Sequence, residues 1–170
     1  EVLNQEDFHK LTVSLRGNIE IKSNIIVFTL KGQLDAFSEK QFKTFVTNTL
    51  KKEALSLVVD LSKIDFLDSS GLGALVQTSK ECKKLKLGFS VVGNSRVAQT
   101  IKLVRLSDFL NLKATLQEAL LYLKIELLDT KFAPQGSPEE IGVIQLAWLG
   151  DSVWELHQRL RHIHIPLKSR

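Results

Sequence analysis

The sequence contains only one cysteine and three prolines, and it lacks long hydrophobic runs. A single cysteine excludes an internal disulfide framework and any cysteine-based zinc cluster. No stretch approaches the roughly 18 uninterrupted apolar residues that a membrane helix needs. Residues 1–20 also lack the pattern of a signal peptide. We therefore predict a cytoplasmic protein without membrane association, and a buried, inert thiol at Cys82, which falls on the apolar face of a predicted helix.

The charge of the chain is unevenly distributed. Residues 1–124 contain 18 Lys/Arg and 13 Asp/Glu, a net +5, whereas residues 125–170 contain 5 and 6, a net −1. No continuous basic stripe with interleaved aromatic residues is present, so we predict no direct DNA binding and disfavour RNA as a partner. The cluster Lys80, Lys83, Lys84 and Lys86 is typical of a solvated helix C-terminus. An acidic partner surface is the alternative reading of that cluster.

Strand-like and helix-like patterns alternate along the first 124 residues in the order β-β-α-β-α-β-α-β-α. Such alternation predicts an α/β domain, with a mixed, mostly parallel sheet packed against about four helices. We place this domain at 8–124, a linker containing Pro134, Gly136 and Pro138 at 125–137, and an amphipathic helical segment at 138–170. With a hydrophobic share of 44%, the chain has enough apolar material for a sizeable core.

Four finer expectations follow from local patterns. The first strands should break near Arg16–Asn18, and Lys31–Asp35 should form a loop. Ser38–Gln41 fits a capping box that would open a helix. In the third helix, beginning at Ser95, the spacing places Val104 on the inward face together with Val97 and Ile101.

The chain is organised around Val58–Gly73. A buried strand at Leu55–Leu61 leads to Asp68-Ser69-Ser70-Gly71, and apolar residues at helical spacing follow. A hydroxyl at this junction lies among backbone N–H groups that have no partner inside the helix, a place that tolerates a phosphate well. Two roles remain open for Ser69 or Ser70, because serine at such a junction is also a common helix cap.

Residues 1–124 resemble the STAS family, and within it the bacterial anti-sigma factor antagonists. The resemblance is carried by Lys31-Gly32-Gln33-Leu34-Asp35, Val58-Val59-Asp60-Leu61-Ser62 and Phe66-Leu67-Asp68-Ser69-Ser70-Gly71-Leu72-Gly73, together with the order of elements. It implies the STAS fold and a non-enzymatic, cofactor-free regulator of transcription that switches partners.

The same resemblance implies the site. Ser69 would be phosphorylated by an anti-sigma factor that is also a serine kinase, and a phosphatase would reverse the modification. The unphosphorylated form would bind the kinase, and the phosphorylated form would release it. The implied docking surface comprises Asp35, Asp68, Ser70, Gly71, Leu72 and Gly73. For these residues, structural roles are the alternatives: a turn for Asp35, a helix start for Asp68, and close packing for both glycines.

The segment Gln145–Leu156 resembles the first signature helix of the ribonuclease III family, in particular the short mini-ribonuclease form. That resemblance makes Asp151 a candidate metal ligand. Hydrolysis by this family needs further carboxylates from a later helix, and only about 20 residues follow Asp151. We therefore expect an incomplete, inactive ribonuclease-like segment and assign no metal or catalytic residues. The alternative functions are RNA processing through this segment and a STAS module that senses a ligand or acts as a scaffold without phosphorylation.

Overall fold

The computed structural model describes residues 8–132. Its strands are β1 (His9–Lys10), β2 (Leu15–Lys22), β3 (Ile25–Leu34), β4 (Ser56–Leu67), β5 (Phe89–Gly93) and β6 (Leu112–Lys113). Its helices are α1 (Glu39–Glu53), α2 (Ser69–Lys84), α3 (Ser95–Leu103) and α4 (Leu116–Phe132).

The six strands form one sheet in sequence order. β1, β2 and β3 pair antiparallel, as hairpin-connected strands do. β3, β4, β5 and β6 pair parallel, because α1, α2 and α3 each return the chain to the start of the next strand. The structure therefore confirms the predicted mixed, mostly parallel sheet with four helices.

The helices cover both faces of the sheet. One face packs against α1, α2 and α3, and its core includes Phe28, Phe42, Leu75 and Ile101. The opposite face packs against α4 through Ala119 and Leu123, which meet Ile25, Val58 and Val92. A parallel strand with both faces covered should be apolar at consecutive positions. Ser56–Leu61 is accordingly buried throughout.

Two sequence-based expectations about the first strands were wrong. β2 runs unbroken through Arg16–Asn18, because Gly17 makes room for an aromatic side chain: a Cβ there would lie 2.5 Å from the ring of Phe28. β3 continues through the predicted loop as far as Leu34. The glycine at position 32 allows this, since its φ is +112° and a Cβ would lie 2.1 Å from the carbonyl oxygen of Ser14.

Two expectations about helices were also wrong. Ser38 precedes α1, but its side chain makes no capping hydrogen bond to that helix and turns back toward the end of β3. Val104 follows the end of α3 and is 49% exposed, because the helix stops at Leu103 before the apolar spacing can bring it inward. Val97 and Ile101 are buried as predicted.

The compact unit that carries the sheet ends at Leu123. α4 itself continues to Phe132, through the first residues of the predicted linker. The predicted segment 138–170, with the candidate Asp151, lies outside the described residues. Within 8–132, no helix is long and apolar enough to cross a bilayer.

Candidate functional site

The site is built on the N-terminus of α2, which begins directly after the long central strand β4. Asp68 occupies the N-cap position with extended backbone dihedrals, and its carboxylate Oδ1 accepts a hydrogen bond from the backbone N–H of Gly71 at 2.9 Å. This is the usual geometry of an aspartate cap, which satisfies one otherwise unpaired donor of the first turn. The cap of α2 is therefore Asp68, and neither neighbouring serine takes that role.

Ser69 is the first residue of α2 and is exposed. Within residues 8–132, its hydroxyl makes no hydrogen bond, and the capping bond of α2 is made by Asp68 instead. The hydroxyl lies at the positive end of the helix dipole, where added negative charge is accommodated. Ser69 is therefore at the surface of the domain, at a helix end that suits an anion.

The loop from β3 to α1, residues 35–38, is folded by its own polar groups. Oδ1 of Asp35 accepts a hydrogen bond from the N–H of Phe37 at 3.0 Å, a turn typical of aspartate. The hydroxyl of Ser38 donates to the carbonyl oxygen of Gln33 at 2.9 Å and accepts from the N–H of Asp35 at 3.0 Å. Ser38 is fully buried and Asp35 is 8% exposed. Both polar side chains therefore shape the loop from inside.

The loop and the start of α2 are in direct contact. Oδ2 of Asp68 accepts a hydrogen bond from the N–H of Ala36 at 3.2 Å. At the base of the loop, the N–H of Asp68 donates to the carbonyl oxygen of Leu34 at 3.4 Å. The helix approaches β3 so closely that a Cβ at Gly71 would lie 2.3 Å from that same oxygen. The two segments named by the resemblance thus lie side by side.

The predicted site residues differ in how they face solvent. Ser69 and Gly73 are exposed, and Asp68 and Ser70 are half-buried. The other three predicted residues are buried: Asp35, Gly71 and Leu72. A partner that meets the domain in this conformation therefore contacts the exposed members directly. The buried members lie beneath that surface and would not contact such a partner.

Sequence reasoning missed two residues of the loop at 35–38. Phe37, two residues after Asp35, is 86% exposed, an unusual position for a large aromatic residue. Ser38, read as part of a capping box, instead organises the loop. An available signal for Phe37 was that it falls outside the apolar spacing of the following helix, which is Phe42, Phe45, Val46 and Leu50.

Cys82 lies on the buried face of α2, as predicted. Burial, with a smaller effect from the neighbouring carboxylate of Glu81, raises the pKa of its thiol from 9.0 to about 12. The thiol therefore stays protonated at neutral pH, which removes the thiolate that nucleophilic or metal-binding chemistry requires. Cys82 is a core residue of the domain.

Comparison with known protein families gives a match that spans most of the compact unit carrying the sheet. The profile of the STAS domain matches residues 17–119, more than half of the chain. The chain belongs to the STAS domain family. The match ends before the segment that resembles a mini-ribonuclease and lends that resemblance no support.

Three bacterial proteins illustrate the similarity of this STAS domain to known relatives. It is 29% identical over 101 residues to the anti-sigma-B factor antagonist of Listeria monocytogenes, covering 56% of this chain and 88% of that protein. Among solved structures, an anti-sigma factor antagonist from Mycobacterium paratuberculosis matches with a TM-score of 0.61 and 27% identity, over 65% of this chain and 95% of the other. A putative anti-sigma factor antagonist from Thermotoga maritima shares the fold at 22% identity, with a TM-score of 0.60, over 64% and 94% of the two chains.

Proposed function

We propose that this STAS domain is an anti-sigma factor antagonist whose partner binding is controlled by phosphorylation of Ser69. The unphosphorylated domain binds an anti-sigma factor that is also a serine kinase, and thereby frees a sigma factor. The phosphorylated domain releases the kinase, and a phosphatase restores the binding form. The domain acts in the cytoplasm as a regulatory binding protein and catalyses no reaction itself.

The observation that carries this proposal is the position of the Ser69 hydroxyl. It is exposed at the first residue of α2, and the capping task that a serine there could have performed belongs to Asp68. The hydroxyl takes no part in capping α2, and the residue that carries it is exposed to solvent, both of which suit a phosphorylation site. The names of the relatives, anti-sigma factor antagonists, support the choice of partner class.

A phosphate on Ser69 would change what a partner meets. Phosphoserine adds about −1.5 to −2 charges at neutral pH. The helix N-terminus partly stabilises that charge, so the domain can stay folded. Asp68 already places a carboxylate beside it, and the exposed ring of Phe37 lies on the loop that Asp68 contacts. A partner surface that covers these groups would have to desolvate a phosphate beside a carboxylate, which costs several kcal/mol when uncompensated.

The test uses the purified chain, ATP and the anti-sigma kinase from the same organism. Mass spectrometry should place a single phosphate on Ser69, and Ser69→Ala should abolish phosphorylation. Ser70→Ala is the matched control, since it removes a half-buried hydroxyl one residue further along the same helix and should leave phosphorylation intact.

Binding to the kinase is measured by calorimetry or biosensor. Wild type and Ser69→Ala should bind equally within a few-fold, whereas Ser69→Glu and the phosphorylated chain should bind at least about 100-fold more weakly, or ~2.7 kcal/mol. A phosphate found elsewhere, or undiminished binding of the phosphorylated chain, would contradict the proposal. If no variant at Ser69 changed any partner interaction, the alternative of a STAS scaffold without phosphorylation would be supported instead.

A further inference from the structure

Asp68 occupies a position between the proposed phosphorylation site and the loop at residues 35–38. We infer that Asp68 is a positioning residue: its carboxylate holds this loop, and with it Phe37, in a fixed register with Ser69. The resemblance had placed Asp68 on the docking surface, as a residue that touches the partner. The geometry assigns it a different task, and this inference rests on the proposed function only for its partner-binding readout.

The two oxygens of the Asp68 carboxylate serve two separate elements. Oδ1 accepts from the N–H of Gly71 at 2.9 Å and caps α2. Oδ2 accepts from the N–H of Ala36 at 3.2 Å, 32 residues away in sequence. Both bonds join a charged acceptor to a backbone donor, a combination stronger than a bond between neutral groups. One side chain thus connects the start of the helix to the loop.

The loop needs such a connection because its exposed part has little burial to hold it. Asp35 and Ser38 shape the loop from inside, and Asp35 also accepts a hydrogen bond from the N–H of Phe37. Ala36 and Phe37 are exposed, Phe37 to 86%. The hydrogen bond from Ala36 to Asp68 is the one that joins this exposed portion to the start of α2. An aromatic side chain contributes most to binding when its backbone is already in the bound position, because less ordering is then required.

The substitution Asp68→Asn separates the two tasks of this residue. Asparagine is as good an N-cap as aspartate, and its single carbonyl oxygen can still accept from Gly71. Its amide nitrogen, however, is a donor and would face the N–H of Ala36, so the second bond is lost. The variant should therefore keep α2 intact and release the loop.

A matched control is available at the neighbouring helix α3. Asn94 is its N-cap, accepting from the N–H of Val97 at 2.9 Å, and its amide nitrogen donates to the carbonyl oxygens of Ser62 and Ile64. Asn94→Asp keeps an oxygen that can cap α3 and loses the two donated hydrogen bonds. It is the reverse of the exchange Asp68→Asn, made at the N-cap of the next helix. It measures what an Asn/Asp exchange at a helix cap costs when the loop at 35–38 is untouched.

Amide hydrogen exchange in the full chain, measured by NMR without any partner, tests the connection directly. In Asp68→Asn, the Ala36 amide should exchange about tenfold faster or more, while the Gly71 amide stays protected. In Asn94→Asp, both amides should behave as in wild type. Unchanged exchange at Ala36 would overturn the inference. Simultaneous loss of protection at Ala36 and Gly71 would also overturn it, since Asp68 would then act only through the helix cap.

Binding to the anti-sigma kinase gives the functional readout. Asp68→Asn should bind about tenfold more weakly, with most of the change in the association rate, because the loop must be ordered before contact. A normal affinity for Asp68→Asn, or an equal loss in Asn94→Asp, would overturn the role in binding. If wild type itself failed to bind the kinase, the proposed function would fall, while the exchange experiment would still decide whether Asp68 positions the loop.

Discussion

The two glycines at the start of α2, Gly71 and Gly73, should respond in opposite ways to substitution by alanine. A Cβ at Gly71 would lie 2.3 Å from the carbonyl oxygen of Leu34 and 2.7 Å from a methyl carbon of Leu67. At Gly73, no heavy atom other than those of adjacent residues and of the helix's own nearby backbone lies within 4 Å of the added carbon. The same chemical change, made two residues apart in one helix, therefore meets backbone in one case and open space in the other.

The magnitudes follow from these distances. Ordinary van der Waals contact begins near 3.4 Å, so Gly71→Ala must move α2 away from β3 by about 1 Å. A backbone carbonyl cannot rotate aside as a side chain can, and overpacking of this kind costs about 1–3 kcal/mol. The better helix propensity of alanine returns up to about 1 kcal/mol. We expect Gly71→Ala to lower the free energy of unfolding by about 2 kcal/mol, and Gly73→Ala to raise it by about 0.5–1 kcal/mol.

Urea denaturation followed by circular dichroism at 222 nm measures both changes. With an m value of about 2 kcal/mol/M, the two midpoints should differ by more than about 1 M. Adding Leu67→Ala to Gly71→Ala should restore little stability, because the carbonyl oxygen of Leu34 remains. If Gly71→Ala proved as stable as Gly73→Ala, the close approach of α2 to β3 would be wrong, and with it the placement of Ser69 beside the loop at residues 35–38.

Four further predictions concern Cys82, Gly32 and Tyr122. In the folded domain at pH 8, Cys82 should react with a thiol reagent at least about 100-fold more slowly than in the denatured chain, because burial keeps the thiol protonated. The pKa of this thiol is raised from 9.0 to about 12 in the folded domain, so its contribution to stability is complete below pH 9 and falls as the pH rises toward 12. In urea titrations over that pH range, the free energy of unfolding of Cys82→Ala should therefore fall less than that of wild type. Gly32→Ala should destabilise the domain by at least about 2 kcal/mol in the same assay, since the residue has a φ of +112° and faces the Ser14 carbonyl oxygen. An unchanged midpoint would contradict the close approach of Gly32 to Ser14. Tyr122→Phe should cost about 1 kcal/mol, because the hydroxyl donates to Oδ1 of Asn111 at 3.1 Å; a stability equal to wild type would mean that this bond contributes nothing net.

Local patterns predicted most of the fold because its elements are strongly periodic. The apolar run at β4 and the spacing of Leu72, Leu75 and Ser79 in α2 each follow one repeat, so strand and helix could be identified from sequence. The predictions failed at two glycines where a strand continues although the local sequence indicates a turn or a loop. Gly17 and Gly32 were read as breaks, yet each permits a strand to continue against a close neighbour.

Some features of the candidate site were also predictable from the sequence, and others were not. The motif Asp68-Ser69-Ser70-Gly71 at the end of a strand indicated a helix start with a hydroxyl on it. The motif left open which residue caps the helix, because aspartate and serine are both favoured at the N-cap position. The structure shows that the residue at that position is Asp68. The exposed ring of Phe37 and the inward hydroxyl of Ser38 also depend on how the loop folds back on β3.

By itself, the sequence determined the alternation of strands and helices, the long central strand and the serine at the end of it. Each of these depends on interactions between residues close together in the chain, where composition and spacing carry the information. The tertiary structure alone decided that the loop at residues 35–38 lies against α2, through a hydrogen bond from Ala36 to Asp68 that joins residues 32 apart. This contact forms because the parallel strands β3 and β4 end side by side, with Leu34 opposite Leu67, and no local pattern encodes that alignment.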